Sequence, residues 1–154
     1  MMELLVEKIL KEKNIAYKLI KLSDKAYTVH DVVAYSNGEV DPREICKTII
    51  LEGKKTSKKI AVLLRGDDRL NFPAAKKIFK EEMKIANTEA VKESAGVDAG
   101  AVCPFILEVP LYVDKKVLES GRINCGSGNH MYGLEFKSED LKVGVQYQVA
   151  ELTK

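Results

Sequence analysis

The chain has no tryptophan, only two histidines, three cysteines and four prolines among its 154 residues. Each scarcity closes off a class of protein. Cys46, Cys103 and Cys125 are odd in number and far apart, which argues against a secreted disulfide scaffold. The spacings C-x-x-C and H-E-x-x-H are missing, so a metal site drawn from these cysteines with His30 and His130 has no support in the pattern. No apolar run approaches the length of a bilayer span, which excludes a membrane-spanning helix, and no membrane partner is expected. The opening segment MMELLVEKILKEK breaks its apolar stripe with charges, unlike the uninterrupted core of a secretory signal, so the expected location is the cytoplasm. The glycine-rich phosphate loops and the G-x-S-x-G elbow are absent, and nothing signals an organic cofactor. Charge of one sign is also lacking. The formal net charge is +2, too small to announce a nucleic-acid binder, and no DNA partner is expected.

What is present suits one ordinary domain across residues 1–154, with 45% apolar residues for a core and 31% charged residues well mixed through the chain. Leu5, Val6, Ile9 and Leu10 share a helical face, which predicts a helix over residues 3–13. Ile15–Leu22 suits a strand. Thr28 with Asp31 resembles a capping box that opens a helix burying Val29, Val32 and Val33. Asp41 and Pro42 suit the start of a short helix. KTIIL and KIAVLL read as the arms of a hairpin. Asn71 caps a helix directing Ala75, Ile78 and Phe79 inward, Thr88 opens another, and Gly96 stops it. LYVD, RINCG, MYGLEF and VQYQVAEL read as strands, with a short helix KKVLES after the first and Ser138 capping EDLK before the last. Interspersed helices and hairpins predict an α+β fold with a mixed, largely antiparallel sheet curled towards a barrel.

Several features have a plain and a chemical reading. Lys54, Lys55, Lys58 and Lys59 form one basic cluster, and Lys76, Lys77, Lys80 and Lys84 another; each is either a solvated face or a track for phosphates. Lys47, entering a strand, is either solvated or a substrate-facing cation. Gly126 and Gly128 in GSGNH serve a hairpin, or else the turn presents Ser127, Asn129 and His130 to a ligand. Asp114 is a helix cap or a pocket residue. Cys103 as a nucleophile would need a base and a lowered pKa; a small buried thiol is the simpler role. The stretch AGAVCPF, residues 99–105, is bare of large side chains until Phe105, as a turn or as a floor that touches a ligand through its backbone.

Taken in order, ICKTIIL, IAVLLRGDDRLNFPAAKKI, AGAVCPF, LYVD, RINCGSG and SEDL resemble the YbaK/ProX family of free-standing aminoacyl-tRNA editing proteins, related to the insertion domain of bacterial prolyl-tRNA synthetases. The resemblance runs from about Thr28 to Leu141. Ala99 and Ala101 depart from the usual Gly-Gly pair, and Cys103 stands where serine or proline is common. The resemblance implies hydrolysis of the ester joining a wrong small amino acid (alanine, cysteine, serine or threonine) to the 3′ ribose of a tRNA, commonly that for proline. It implies that Lys47 and backbone N–H groups of Gly100 and Ala101 act on the ester. Tyr27, His30, Cys103, Pro104, Phe105, Gly126, Ser127 and His130 then line the substrate pocket, and no metal or cofactor is needed. The implied partners are the 3′ end and acceptor stem of an aminoacyl-tRNA, with a synthetase as a further candidate. Two other classes stay open: a module of the same fold that holds tRNA ends or a synthetase without turnover, and a thiol- or metal-dependent enzyme using Cys103 or Cys125.

Overall fold

The computed structural model describes residues 3–154; Met1 and Met2 lie outside the described residues. The first helix, α1 (Leu5–Glu12), buries Val6 and Leu10, whereas Leu5 faces solvent at 59% exposure, so the apolar stripe is narrower than its spacing suggests. The Glu7 carboxylate closes its first turn by accepting the Leu4 N–H at 2.9 Å. Strand β1 (Tyr17–Lys21) leads to α2 (Val29–Tyr35). The predicted cap forms: Thr28 Oγ1 accepts the Asp31 N–H at 3.1 Å, and the Asp31 carboxylate accepts the Tyr27 N–H at 2.9 Å. Those bonds hold the Asp31 carboxyl below the usual aspartate range, the Tyr27 amide contributing most. Val29 and Val32 pack inward, but Val33 is exposed.

A single turn of 3-10 helix, Pro42–Glu44, capped by Asp41, delivers the chain into β2 (Cys46–Gly53). Strand β3 (Lys59–Arg65) returns antiparallel to it. Helix α3 (Phe72–Phe79) starts on Asn71, whose side chain accepts the Ala74 N–H at 3.1 Å. Ala75 faces the core as predicted, Phe79 is half-buried and Ile78 is exposed. The short β4 (Met83–Ile85) pairs with the end of β2, and α4 (Thr88–Ala95) follows. Helix α4 opens at Thr88 as predicted, capped by the side chain of Asn87, and Gly96 stops it in the left-handed region at φ 76°.

The last strands are β5 (Leu111–Asp114), β6 (Arg122–Gly126), β7 (Tyr132–Lys137) and β8 (Tyr147–Ala150), with α5 (Leu141–Gly144) before β8. Ser138 does not cap a helix; its hydroxyl donates to the Ser120 carbonyl. Asp114 is a cap and more. One carboxylate oxygen accepts the Lys116 N–H at 3.2 Å, and the other accepts the Leu152 N–H at 2.8 Å, tying the C-terminal segment to β5.

The strands form two sheets. One is antiparallel in the order β1-β7-β6. The other is mixed in the order β4-β2-β3-β5-β8, with β5 parallel to both β3 and β8. A bridge between Ile45 and Asn124 joins them edge to edge. The main core fills the space between their inner faces, with Cys46, Ile50, Leu63 and Val113 from one sheet and Ile123, Leu134 and Phe136 from the other. The predicted α+β fold with a mixed, curled sheet is therefore the observed one, split at its seam by a gap.

Candidate functional site

That gap holds the candidate site. Strand β2 shows how it opens. The Ile45 carbonyl accepts the Gly66 N–H at 2.7 Å, and the Gly53 N–H donates to Lys58 at 2.8 Å, both on the β3 side. Strand groups alternate in direction, so even-numbered residues of β2 point to the opposite edge. There the Ile50 carbonyl accepts the Ala86 N–H at 2.9 Å, and the bridge at Asn124 closes the other end. Between these two closures the main chain of Thr48 meets no strand. A cavity of about 290 Å³ lies against this open edge. Its volume is near the small end of ligand pockets. Leu22, Val29, Val32, Ile50 and Val91 supply apolar walls.

The polar groups are few and specific. Lys47 lines the cavity, and its ammonium donates to the Gly66 carbonyl at 3.0 Å. Gly66 can sit there because it lacks a side chain: a Cβ would meet Val29 Cγ1 at 2.9 Å and the Ile45 carbonyl oxygen at 3.2 Å. The side-chain oxygens of Thr48 and Asn124 are buried without a hydrogen-bond partner among the described residues, and both residues line the cavity. Asn124 is 3% exposed, and its amide nitrogen is aimed at the carboxylates of Glu44 (3.3 Å) and Glu135 (3.5 Å), which fixes where the bare oxygen sits. His130 Nδ1 lies 2.8 Å from the Ala26 carbonyl. A carbonyl only accepts, so Nδ1 carries a proton and Nε2 of the neutral ring keeps its lone pair. Tyr27 lies over that ring at 4.3 Å between centroids.

The bare stretch at 99–105 turns out to be bare for two reasons. Gly100 has φ 95°, and a Cβ there would lie 2.5 Å from the Tyr27 carbonyl oxygen. On its other side the loop presses on Gly126, where a Cβ would overlap the Val102 carbonyl oxygen and the Ala101 carbonyl group. Main chain thus meets main chain at both margins of the cavity. Ala101 is buried and locked: its N–H donates to Asp98 at 3.3 Å and its carbonyl accepts the Gly128 N–H at 2.9 Å. The amides of Gly100 and Val102 have no such partner among the described residues, and both residues line the cavity.

Of the residues singled out in the sequence, the fold brings Tyr27, Lys47, Gly100, Gly126 and His130 to the cavity wall. Cys125 and Asn129 line it as well, whereas His30, Ala101, Cys103, Pro104, Phe105 and Ser127 do not. His30 is exposed on the outer side of α2. Ser127 is a staple within its own turn: its one hydroxyl proton is shared between the carbonyls of Tyr132 (2.7 Å) and Asn129 (3.0 Å), and its oxygen accepts the Asn129 N–H at 3.2 Å. Cys103 is buried, and burial pushes its thiol up to about 12. Pro104 is buried, and Phe105 anchors the loop edge-on against Phe136 at 4.9 Å and beside Gly144. Burial also raises the thiols of Cys46, to about 12, and of Cys125, so no activated cysteine stands in the site. Among the described residues no group of three or more His, Cys, Asp or Glu side chains is placed to hold a metal ion. Thr48, Val102 and Asn124 were missed. The alternation along β2 marks Thr48 as inward-facing, but only the gap beside it makes it part of a site.

The sheet seam, with its small cavity edged by one lysine and by main-chain amides, lies in a domain of the aminoacyl-tRNA editing class. The chain belongs to that family: the family model of the aminoacyl-tRNA editing domain matches residues 23–143. It is 29% identical over 109 residues to the proline–tRNA ligase of Caldicellulosiruptor saccharolyticus, an alignment that takes in 70% of this chain and only 18% of the ligase. Among solved structures it is similar to hypothetical protein APE2540, with a TM-score of 0.86, 27% identity, and coverage of 97% of this chain and 99% of that one. It also shares the fold of a candidate trans-editing enzyme for prolyl tRNA synthetase, with a TM-score of 0.82 at 21% identity over 97% of this chain and 94% of the other. No helix of the described residues is long and apolar enough to cross a membrane.

Proposed function

We propose that the protein hydrolyses the ester between a wrongly attached small amino acid and the 3′-terminal ribose of a tRNA, with the tRNA for proline the first to test. Water attacks the ester carbonyl carbon, the bond from that carbon to the ribose oxygen breaks, and the ribose oxygen takes up a proton as the free amino acid leaves. The ester is already activated by the neighbouring ribose hydroxyl, so orientation and oxyanion stabilisation can carry the reaction. Lys47 supplies a compact positive charge at the cavity, and the unpartnered amides of Gly100 and Val102 supply donors for the carbonyl oxygen as it gains charge. Nε2 of His130 accepts from the water or the ribose, and Tyr27 with His130 offers a flat face at the rim. The small apolar cavity admits a short side chain and excludes a bulkier one.

The observation that carries this reading is the coincidence, in one cavity of an editing-family domain, of Lys47 with unspent backbone donors and no activated thiol. The test is deacylation of tRNAs charged with alanine, serine, threonine or cysteine, with and without Lys47→Ala. Hydrolysis of at least one, lost on substitution, is the expected result. Folded protein inactive on all four would overturn it, and leave the non-catalytic tRNA-holding alternative.

A further inference from the structure

The two lysine clusters lie about twenty residues apart in sequence, yet the fold makes them one surface. Glu82 pairs with Lys54 of the β2–β3 hairpin (3.6 Å) and with Lys76 of α3 (3.8 Å). Glu52 pairs with Lys59 (3.4 Å) and with Lys84 of β4 (3.4 Å). The Lys54 N–H donates to the Glu82 carbonyl at 2.8 Å. Glu81 is occupied inside the assembly: its carboxylate accepts the N–H groups of Lys55 and Thr56 at 3.0 Å and the Thr56 hydroxyl at 2.6 Å. It clamps the hairpin tip to the turn after α3, so the lysines project from a braced platform.

The charge is not balanced there. Eight lysines stand against Glu52, Glu81 and Glu82, an excess larger than the +2 of the whole chain, so the rest of the molecule is net acidic. Lys55, Lys58, Lys77 and Lys80 are exposed and form no ion pair among the described residues. The platform also adjoins the cavity. Lys84 precedes Ile85, which is 58% exposed and lines the cavity. Lys54 lies four residues beyond Ile50, another lining residue, and so about 13 Å along the strand. The aromatic ring of this end, Phe79, is packed edge-on against Tyr112 at 4.8 Å rather than offered to a base. Point charges without a stacking platform suit the backbone of a duplex, not unstacked single-strand bases.

We propose that the lysine end formed by the β2–β3 hairpin tip, the last turn of α3 and β4 is the docking surface for the phosphate backbone of the duplex stem that carries the acylated 3′ end. This rests on the function proposed above. Ile85 is then the threshold over which the unpaired 3′ end passes from the stem into the cavity.

The test compares two esters: alanyl-tRNA, and the same amino acid on a CCA trinucleotide without a stem. The variant is the triple charge reversal Lys55→Glu, Lys77→Glu, Lys80→Glu, with Lys8→Glu, Lys13→Glu, Lys142→Glu as a control of equal charge on other surfaces. Thermal melts confirm that both fold, and a Lys-to-Gln triple at the first three positions stands in if the reversal does not. The expected result is a KM for alanyl-tRNA raised on the order of 10–100-fold, with a salt slope flatter by roughly 2 to 3 because about three phosphate contacts are lost. Turnover of the trinucleotide ester and the control variant stay unchanged. An unaltered KM and salt slope with alanyl-tRNA, or loss of binding to a purified synthetase alone, would overturn the surface while leaving the catalytic reading intact. If the unsubstituted protein hydrolyses none of the alanyl, seryl, threonyl and cysteinyl esters of tRNA, the catalytic reading falls, and salt-dependent binding of uncharged tRNA by the same variants decides the surface by itself.

Discussion

The Lys47 ammonium is held by the carbonyl oxygen of Gly66, 3.0 Å away on the turn that leaves β3. The lysine is therefore placed by main chain and not by a carboxylate, and its charge is left unneutralised. Lys47→Ala is expected to lower kcat for deacylation by about 10²–10³-fold, the range for removing one donor to a developing oxyanion. Gly66→Ala should drive the turn away from Val29 and misplace the lysine, with a loss in kcat/KM of around tenfold or more. Steady-state kinetics on both variants checks this; full activity in Gly66→Ala would show that the anchor is dispensable.

Gly96 and Gly100 both have positive φ, yet their surroundings differ. A Cβ at Gly96 meets nothing within 4 Å, whereas at Gly100 it meets the Tyr27 main chain. Gly96→Ala should destabilise by only about 1 kcal/mol, the conformational cost alone. Gly100→Ala adds a steric clash and should destabilise by about 2–4 kcal/mol and abolish deacylation, because the loop must move. Urea unfolding of the pair separates the two effects.

Asp114 is 1% exposed and accepts from Lys116 N, Leu152 N and Thr153 Oγ1. Asp114→Ala removes a helix cap and orphans the Leu152 amide, so a loss of about 2–4 kcal/mol is expected. Faster hydrogen exchange should be confined to the Lys116 amide and the turn it opens, and to β8 and the residues after it. The carboxylate does not line the cavity, so kcat measured well below the melting temperature should hold.

The three thiols predict an alkaline limit. Burial raises Cys46 and Cys103 to about 12, and Cys125 also stands above the normal value. In the unfolded chain they ionise near 8.5, so above that pH the unfolded state binds fewer protons than the folded one. Stability is then fully present below about pH 8.5 and declines as pH climbs towards 12. Denaturation midpoints across this range should fall, and a Cys46→Ala, Cys103→Ala variant should fall less steeply. At neutral pH a thiol reagent should modify the folded protein slowly and the unfolded protein at all three positions.

The parts of this fold that depend on near neighbours were legible in the sequence. The Thr28 and Asn71 caps, the Gly96 stop and the β2–β3 hairpin are each decided by residues a few positions apart, and each formed. Burial on helix faces was less legible: Leu5, Val33 and Ile78 lie on predicted inner faces but are exposed, because what covers a face is distant in sequence. The site divides the same way. Lys47 and Gly100, singled out through the family resemblance, both line the cavity. Ala101 is named beside Gly100 because a sequence shows small side chains and cannot show that the Ala101 amide is already spent on Asp98. Ser127 looked like a ligand-facing hydroxyl, yet its turn consumes it.

Strand β1 finds its partner β7 more than a hundred residues away, pairing Tyr17 with Phe136. Such a closure is paid for late in folding, because the intervening loop must be gathered first. The hairpin of β2 and β3 can zip early, but Tyr27 and Gly133 share a wall only after that distant pairing is made. A full-length chain with β2 and β3 paired but β1 and β7 still apart would own every residue of the cavity and yet have no cavity.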